Sequence, residues 1–389
     1  MPKGRAWKYT TWMKTSLSYV LLTPHAVAKN RTGGILSRLL CRTDLDLVGA
    51  RILAADEALA KKYARALRGR YRGDLLADYV ERNLARSGGE PRPALLLLFR
   101  GQDPCGQLSR VCGDLGAGPS GGTVRDTFAD LVFDPDSPDR IAYFEPAVLT
   151  AGNQGEADGD LRMMADFMDG RENVLDGLSY PDPSRVERTL VILKPDNWTF
   201  HSSRPGAIID MFSVTGLRIV GAKVHRFSLA QALDFYGPVE AALRKKLAGR
   251  FGKRALELLE REFGFSPTGE ALKAISETFG VACAVNEFGG IVEFMSGKRP
   301  GDDGGDGTET PVCMILIYEG ENAVAKIRET LGPTNPADAP DGTVRREFGQ
   351  SVMVNVAHAS DSTESFLRER DIVGMGENTI GAIIREHLG

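Results

Sequence analysis

The sequence is short of the features that mark several large protein classes. It has no excess of basic residues: 48 Lys and Arg stand against 52 Asp and Glu in 389 residues, a formal net charge of −4. A protein built to grip nucleic acid through its phosphates needs the opposite balance. No run of eighteen apolar residues occurs, so no helix is predicted to span a membrane. The first twenty residues are mildly basic (Lys3, Arg5, Lys8, Lys14), but the apolar run Leu17 to Leu22 is too short for the core of a secretory signal. The five cysteines, Cys41, Cys105, Cys112, Cys283 and Cys313, are odd in number and show no CxxC spacing. That argues against a zinc ribbon, a thioredoxin motif and a disulfide framework, and it points to a reduced, cytoplasmic compartment. What is present is ordinary for a globular protein. The chain is 42% hydrophobic and 26% charged, and its length fits two or three domains, each able to bury a core.

Internal repetition is the strongest positive signal. Tyr19-Val-Leu-Leu-Thr-Pro-His25 reads like Leu190-Val-Ile-Leu-Lys-Pro-Asp196, 171 residues later. Leu45-Asp-Leu-Val-Gly-Ala-Arg-Ile52 reads like Leu217-Arg-Ile-Val-Gly-Ala-Lys-Val224, 172 residues later. Tyr63 aligns with Tyr236, and Gly121-Gly-Thr-Val-Arg125 with Asp341-Gly-Thr-Val-Arg345 at an offset of 220. Arg140-Ile-Ala-Tyr-Phe-Glu145 aligns with Asn355-Val-Ala-His-Ala-Ser360 at an offset of 215. Anchors in one order with small drifts in offset indicate a tandem duplication, the second copy carrying an insertion after its tyrosine.

Each copy shows the same succession of elements. Predicted strands Ser18 to Leu22 and Thr189 to Leu193 each run into a proline that ends pairing. A helix follows with Ile35, Leu36, Leu39 and Leu40 on one face, mirrored by Ile208, Met211 and Phe212. Further strands are predicted at Val48 to Leu53 and Arg218 to Val224, at Ala94 to Phe99 and Val312 to Tyr318, and finally up to Tyr143 and His358. This order predicts an α+β protein, an α/β sandwich of two ferredoxin-like βαββαβ domains with antiparallel sheets. The domains are expected at 1–150 and 185–389, with a Gly-, Asp- and Pro-rich linker over 151–184 that holds a helix near Leu161 to Met168. Helical spacing predicts a helical insertion at about 239–287 in the second copy. The Asp- and Gly-rich run 301–307, inside a loop over 298–310, does not follow an EF-hand register and reads as a solvated loop.

The stretch from Arg188 to Glu369 resembles the nucleoside diphosphate kinase family. The residues carrying the likeness are Leu193-Lys-Pro-Asp196, Gly332-Pro-Thr-Asn-Pro-Ala-Asp338, Gly342-Thr-Val-Arg345 and Asn355-Val-Ala-His-Ala-Ser-Asp-Ser362. The last is nearly the family's phosphohistidine signature, with Ala359 where the family has glycine. The resemblance implies the reaction ATP + NDP ⇌ ADP + NTP, run as a ping-pong scheme through phospho-His358. Imidazole suits that role because its neutral form dominates above about pH 6.5. A phosphoryl group in flight spreads negative charge over its oxygens and calls for cations and donors. By the resemblance, Arg328 and Arg345 clamp the phosphates, Thr334 donates a hydrogen bond and Tyr236 lies beside the transferred group. Lys194 serves phosphate and ribose, Asn355 binds a ribose hydroxyl, Glu369 orients the imidazole with Ser360 nearby, and Phe288 and Val352 sandwich the base. Mg²⁺ is expected on the substrate phosphates, with no metal site of the protein's own.

The same alignment strips the first copy of these groups. Tyr143 falls at the nucleophile position, Thr23 at Lys194, Cys112 at Arg328, and Gly118-Pro-Ser120 replaces the longer loop, so that only Tyr63 and Arg125 remain. A tyrosine with a pKa near 10 is a poor phosphate acceptor. The first copy is therefore expected to be degenerate and silent, paired with the second as a pseudo-dimer inside a homo-oligomer, three chains giving a pseudo-hexamer. Its His25 occupies the place of Asp196 and is assigned no chemistry. His201, His225 and His387 read as surface or packing residues. No nucleic acid or membrane partner is expected. The alternative is a nucleotide-binding scaffold or regulatory protein with weak or no turnover, which an insertion between Tyr236 and Phe288 would suit if it closed the cleft.

Overall fold

A computed structural model describes residues 15–71, 73–86, 88–115, 121–266, 268–301 and 310–389. The Asp- and Gly-rich run and Gly118-Pro-Ser120 lie almost wholly outside the described residues. Among the described residues there are ten strands: β1 (Ser16–Leu22), β2 (Asp46–Leu53), β3 (Ala94–Gly101), β4 (Asp130–Asp134), β5 (Ser137–Glu145), β6 (Val148–Thr150), β7 (Val186–Leu193), β8 (Arg218–His225), β9 (Cys313–Glu321) and β10 (Ala357–Ala359). Eight of them form two four-stranded sheets, ordered β2-β3-β1-β6 and β8-β9-β7-β10, and β4 pairs with β5. All pairs are antiparallel. Both sheets have helices packed on them, the ferredoxin-like α+β arrangement. The central strands read as unbroken apolar runs because both of their faces are covered: Leu95 to Phe99 and Cys313 to Ile317 are wholly buried.

The register of the last strands corrects the alignment of the two halves. In β6, Leu149 pairs with Leu21, while in β10 His358 pairs with Ile192. Leu21 and Ile192 hold the same position in the aligned strands, so the first-half counterpart of His358 is Leu149. Tyr143 lies instead on β5, pairs with Val132 and is half exposed. The β4–β5 hairpin is the reason, because it supplies a second stretch of similar composition just ahead of the true last strand. A second correction concerns Cys112. Helices Pro104–Cys112 and Ala323–Leu331 both follow a left-handed residue, Asp103 (φ 43°) or Asn322 (φ 54°), and both end at a positive-φ glycine, Gly113 or Gly332. In that frame Ser109 matches Arg328, and Cys112 matches Leu331. Counted from the helix caps Asp56 and Ser228, Tyr63 likewise matches Phe235 and not Tyr236.

Residues 154–168, in the stretch expected to be linker, form a helix capped by Asn153. It packs on β1 and buries Leu161, Met164 and Met168 in the core of the first sheet. Helix Thr363–Ile372, capped by Ser362 after β10, is its counterpart in the second half. The C-terminal helix Thr379–Leu388 returns to the first half, where Ile380 and Ile384 join that same core. The stretch expected as an insertion prolongs a helix that begins before it, Leu229–Phe263 with 35 residues, and helices Gly269–Ile275 and Val281–Ser296 pack against that helix.

Helix Thr32–Cys41 of the first half lies against helix Arg204–Phe212 of the second, and β2 runs beside β8. Ile35, Leu36 and Leu39 share one core with Ile208, Ile209 and Phe212. The two helices touch through glycines: a Cβ on Gly206 would come within 2.3 Å of the Gly33 carbonyl oxygen. All five cysteines are free thiols. Among the described residues no helix is long and apolar enough to cross a membrane.

Candidate active site

The site forms around the three-residue strand β10. Val356, just before it, has φ 75°, a strained backbone for a β-branched residue. Its carbonyl accepts hydrogen bonds from the Lys194 backbone N–H (2.9 Å) and Asn197 Nδ2 (2.7 Å), and Arg345 Nη2 donates to the carbonyl of Ala357 at 3.0 Å. These contacts over-determine the backbone that carries His358. The imidazole Nε2 lies 3.0 Å from Glu369 Oε2, and Ser360 Oγ donates to the same oxygen at 2.7 Å. Glu369 is buried and comes from the helix after β10. A carboxylate can only accept, so Nε2 carries the proton, and in the neutral ring Nδ1 then holds the lone pair. The ring of Phe235 meets the imidazole nearly perpendicularly, centroids 5.0 Å apart.

Cationic groups surround this pair. Lys194, at the end of β7, is 8% exposed, and its Nζ donates to Asn355 Oδ1 at 2.6 Å. Burial first, and the nearby Arg345 guanidinium second, push the lysine down to about 8. Asn355 in turn donates to the carbonyls of Thr334 (3.1 Å) and Val352 (2.9 Å), tying three segments of the expected site together. Arg345 reaches the Gly332 carbonyl at 2.9 Å, and burial, then Arg328, lower it to about 10. Arg328 is exposed at the end of helix Ala323–Leu331, and its charge also acts on Asp361. The Tyr236 hydroxyl and Arg345 Nε are buried without a hydrogen-bond partner. Burial raises Tyr236 far above the ordinary phenol range, so it stays a neutral donor. The groups converging here are donors and cations, a set matched to phosphate oxygens and not to a metal ion. Among the described residues no cluster of three or more His, Cys, Asp or Glu could hold a metal.

His358, Glu369, Ser360, Lys194, Asn355, Arg345 and Tyr236 thus come together, with Arg328, Thr334 and Val352 at the rim. Phe288 departs from expectation. It is 5% exposed and packs in the core with Phe235, Val292 and Met295, because helix Val281–Ser296 turns that face toward the sheet. The aromatic presented at the site is Phe294, whose ring centroid lies 5.9 Å from Lys194 Nζ. Phe235 and Phe294 carry no motif of their own. Only the adjacency of Phe235 to Tyr236, and the 3.6-residue period that sets Phe294 off the buried face, could have marked them.

The equivalent region of the first half is built differently. Leu149, Ala151 and Asp160 stand where the second half has His358, Ser360 and Glu369, and Thr23 stands for Lys194. Asp160 accepts hydrogen bonds from the Tyr19 hydroxyl (2.6 Å) and Arg70 Nη2 (2.6 Å). Arg125 repeats the backbone contacts of Arg345, to Gly113 and Val148.

Known proteins of one family resemble this chain. The family model described as nucleoside diphosphate kinase matches residues 306–376. A nucleoside diphosphate kinase of Methylorubrum populi is 35% identical over 179 residues, which cover 46% of this chain and 86% of that protein. Among solved structures, the nucleoside diphosphate kinase of Aquifex aeolicus is 27% identical with a TM-score of 0.30, covering 48% of this chain and 94% of its own. That of Encephalitozoon cuniculi is 20% identical with a TM-score of 0.31, covering 49% and 90%.

Proposed function

Since the chain belongs to the nucleoside diphosphate kinase family, we propose that it transfers the γ-phosphate of ATP or another NTP to an NDP through phospho-His358. The observation that carries this reading is the Ser360–Glu369–His358 relay. Glu369 holds the Nε2 proton, and that leaves Nδ1 as the nucleophile. Nδ1 attacks Pγ, the N–P bond forms, and the bond to the bridging oxygen breaks with its electron pair passing to the leaving NDP. Glu369 balances the positive charge that builds on the ring. The same steps in reverse pass the phosphoryl group to a second NDP. Lys194, Arg345 and Arg328 offset the charge on the phosphoryl oxygens, the free Tyr236 hydroxyl donates to them, and Asn355 and Thr334 lie where ribose and phosphate would meet. Mg²⁺ enters on the substrate phosphates. Phe294 and Val352 are the side chains placed to flank a base.

The two halves read as a tandem duplication. Support comes from the shared strand order, the matched positive-φ residues Ala147 and Val356, and the repeated arginine contacts. The first half is then a silent copy fused as a covalent partner, a pseudo-dimer joined through the Gly33–Gly206 helix crossing and the β2–β8 contact.

The test is labelling with γ-³²P ATP and Mg²⁺ in wild type and His358→Ala, followed by a chase with unlabelled GDP. Acid-labile label at one site per chain, lost in the variant and leaving as GTP, is the expected result. Bound nucleotide with no label overturns the kinase reading in favour of a nucleotide-binding scaffold.

A further inference from the structure

Helix Leu229–Phe263 contains a proline, Pro238, nine residues in. Proline has no N–H, so the carbonyl four residues earlier, that of Asp234, loses its helical donor, and the ring displaces the turn around it. The missing donor comes from outside the helix. Arg368 Nη1 donates to the Asp234 carbonyl at 3.0 Å, and its Nη2 to the next carbonyl, Phe235, at 3.1 Å. The two prongs of one guanidinium therefore cap the break.

Both ends of this clamp touch the site. Arg368 immediately precedes Glu369, with a guanidinium nitrogen 3.9 Å from the Glu369 carboxylate, so the clamp is anchored on the turn that holds the imidazole. The carbonyls it grips belong to the turn bearing Phe235 and Tyr236. The Phe235 ring abuts His358 at 5.0 Å, and the Tyr236 hydroxyl lies buried beside it with no partner. The Arg368 guanidinium carbon also lies 6.0 Å from the Phe235 ring centroid. The turn that Pro238 weakens is thus the turn that walls the nucleophile, and the helix continues beyond it as the long insertion.

From this we infer that Arg368 is a positioning residue. It repairs the Pro238 break and so holds Phe235 and Tyr236 against His358, making the insertion helix and the Glu369–His358 pair one mechanical unit. The inference rests on the phosphohistidine reading above for its kinetic consequence, but not for its structural one.

The experiment compares wild type, Arg368→Met, Arg368→Lys, Pro238→Ala and the double variant Pro238→Ala/Arg368→Met. Two readouts are taken: the rate of phosphoenzyme formation at saturating ATP alongside ADP affinity, and amide exchange across residues 229–241. Arg368→Met is expected to slow phosphoryl transfer about 10-fold or more with ADP affinity changed less than about 2-fold, and to speed exchange in that segment. Arg368→Lys, with a single prong, falls between. In the Pro238→Ala background, where residue 238 again donates to Asp234, the loss from Arg368→Met shrinks to about 3-fold or less and the exchange difference disappears. Equal losses in both backgrounds, or none, would overturn the proposal. Should no phosphoenzyme form in wild type, the kinase reading fails, and the exchange data alone still decide whether Arg368 mends the helix.

Discussion

Leu149 occupies in the first sheet the position that His358 occupies in the second, each on a short last strand directly following a positive-φ residue and its neighbour. Leu149 is fully buried, and the carboxylate below it, Asp160, is already held by Arg70 and Tyr19. Leu149→His alone is therefore expected to leave labelling at one phosphate per chain, since Thr23 and Ser109 stand where Lys194 and Arg328 supply charge. Tyr143→Phe is expected to leave labelling unchanged. A second label in Leu149→His would show that residue 149 alone, and not the missing cations, decides whether this half takes up phosphate. Leu149→Ala serves as the stability control, with a cost of about 2–5 kcal/mol for a buried leucine.

Glu369 accepts from both His358 and Ser360. Glu369→Gln keeps the shape but removes the charge that offsets the ring as phosphate transfers. A hydrogen bond to a charged group is worth about 1.5–3 kcal/mol, so rapid-quench phosphoenzyme formation should slow by about 10- to 100-fold. Ser360→Ala removes only the second donor and should slow it less. Nucleotide affinity should hold in both, because neither residue belongs to the cationic set around Lys194 and Arg345.

Lys194 carries a signed pH dependence. Its folded pKa sits near 8 against 10.5 for the free side chain, burial being the larger cause and Arg345 the smaller. Between these values the unfolded chain binds more protons than the folded one, so stability rises with pH through that window and is flat below it. The gain approaches about 3 kcal/mol by the top of the window. Urea unfolding of the ligand-free protein at pH 8 and pH 10.5 should show the rise, and Lys194→Met should abolish this component. Phosphate oxygens favour the charged lysine, so ADP affinity should fall as pH climbs above 8. A Lys194→Met variant with the same pH slope as wild type would count against the assignment.

The second-half site was legible because its motifs are contiguous and sit on rigid elements. Lys194 directly follows β7, Asn355 and His358 flank and occupy β10, and Glu369 lies about two turns along the next helix from its Ser362 cap. Contiguity failed where the chain adds a loop of similar composition. The β4–β5 hairpin drew the alignment onto Tyr143, and only the pairing of β6 with β1 places Leu149. Phe288 misled for another reason. Ala284, Phe288, Val292 and Met295 recur on one helical face, and that face is the buried one, so a reading that weighed periodicity above position would have passed to Phe294. The return of the C-terminal helix to the first half has no local signature, since Ile380 and Ile384 mark an apolar face but not what covers it.

Gly33 and Gly206 set the distance between the halves. A Cβ on Gly33 would lie 2.5 Å from the Gly206 carbonyl oxygen and the Asp210 nitrogen, and one on Gly206 within 2.4 Å of the Ser37 nitrogen. Swinging the Ser37 hydroxyl away would still leave backbone atoms on both sides, so Gly33→Ala or Gly206→Ala must push the two helices apart. Each substitution is expected to cost about 1–3 kcal/mol, seen as a lower Tm by calorimetry. The costs should not add. Once one methyl group has separated the helices, the second meets a gap already opened, and the double variant should be clearly more stable than the sum of the singles predicts. Full additivity would place the two strains in separate local adjustments and remove the helix crossing as the element that joins the halves.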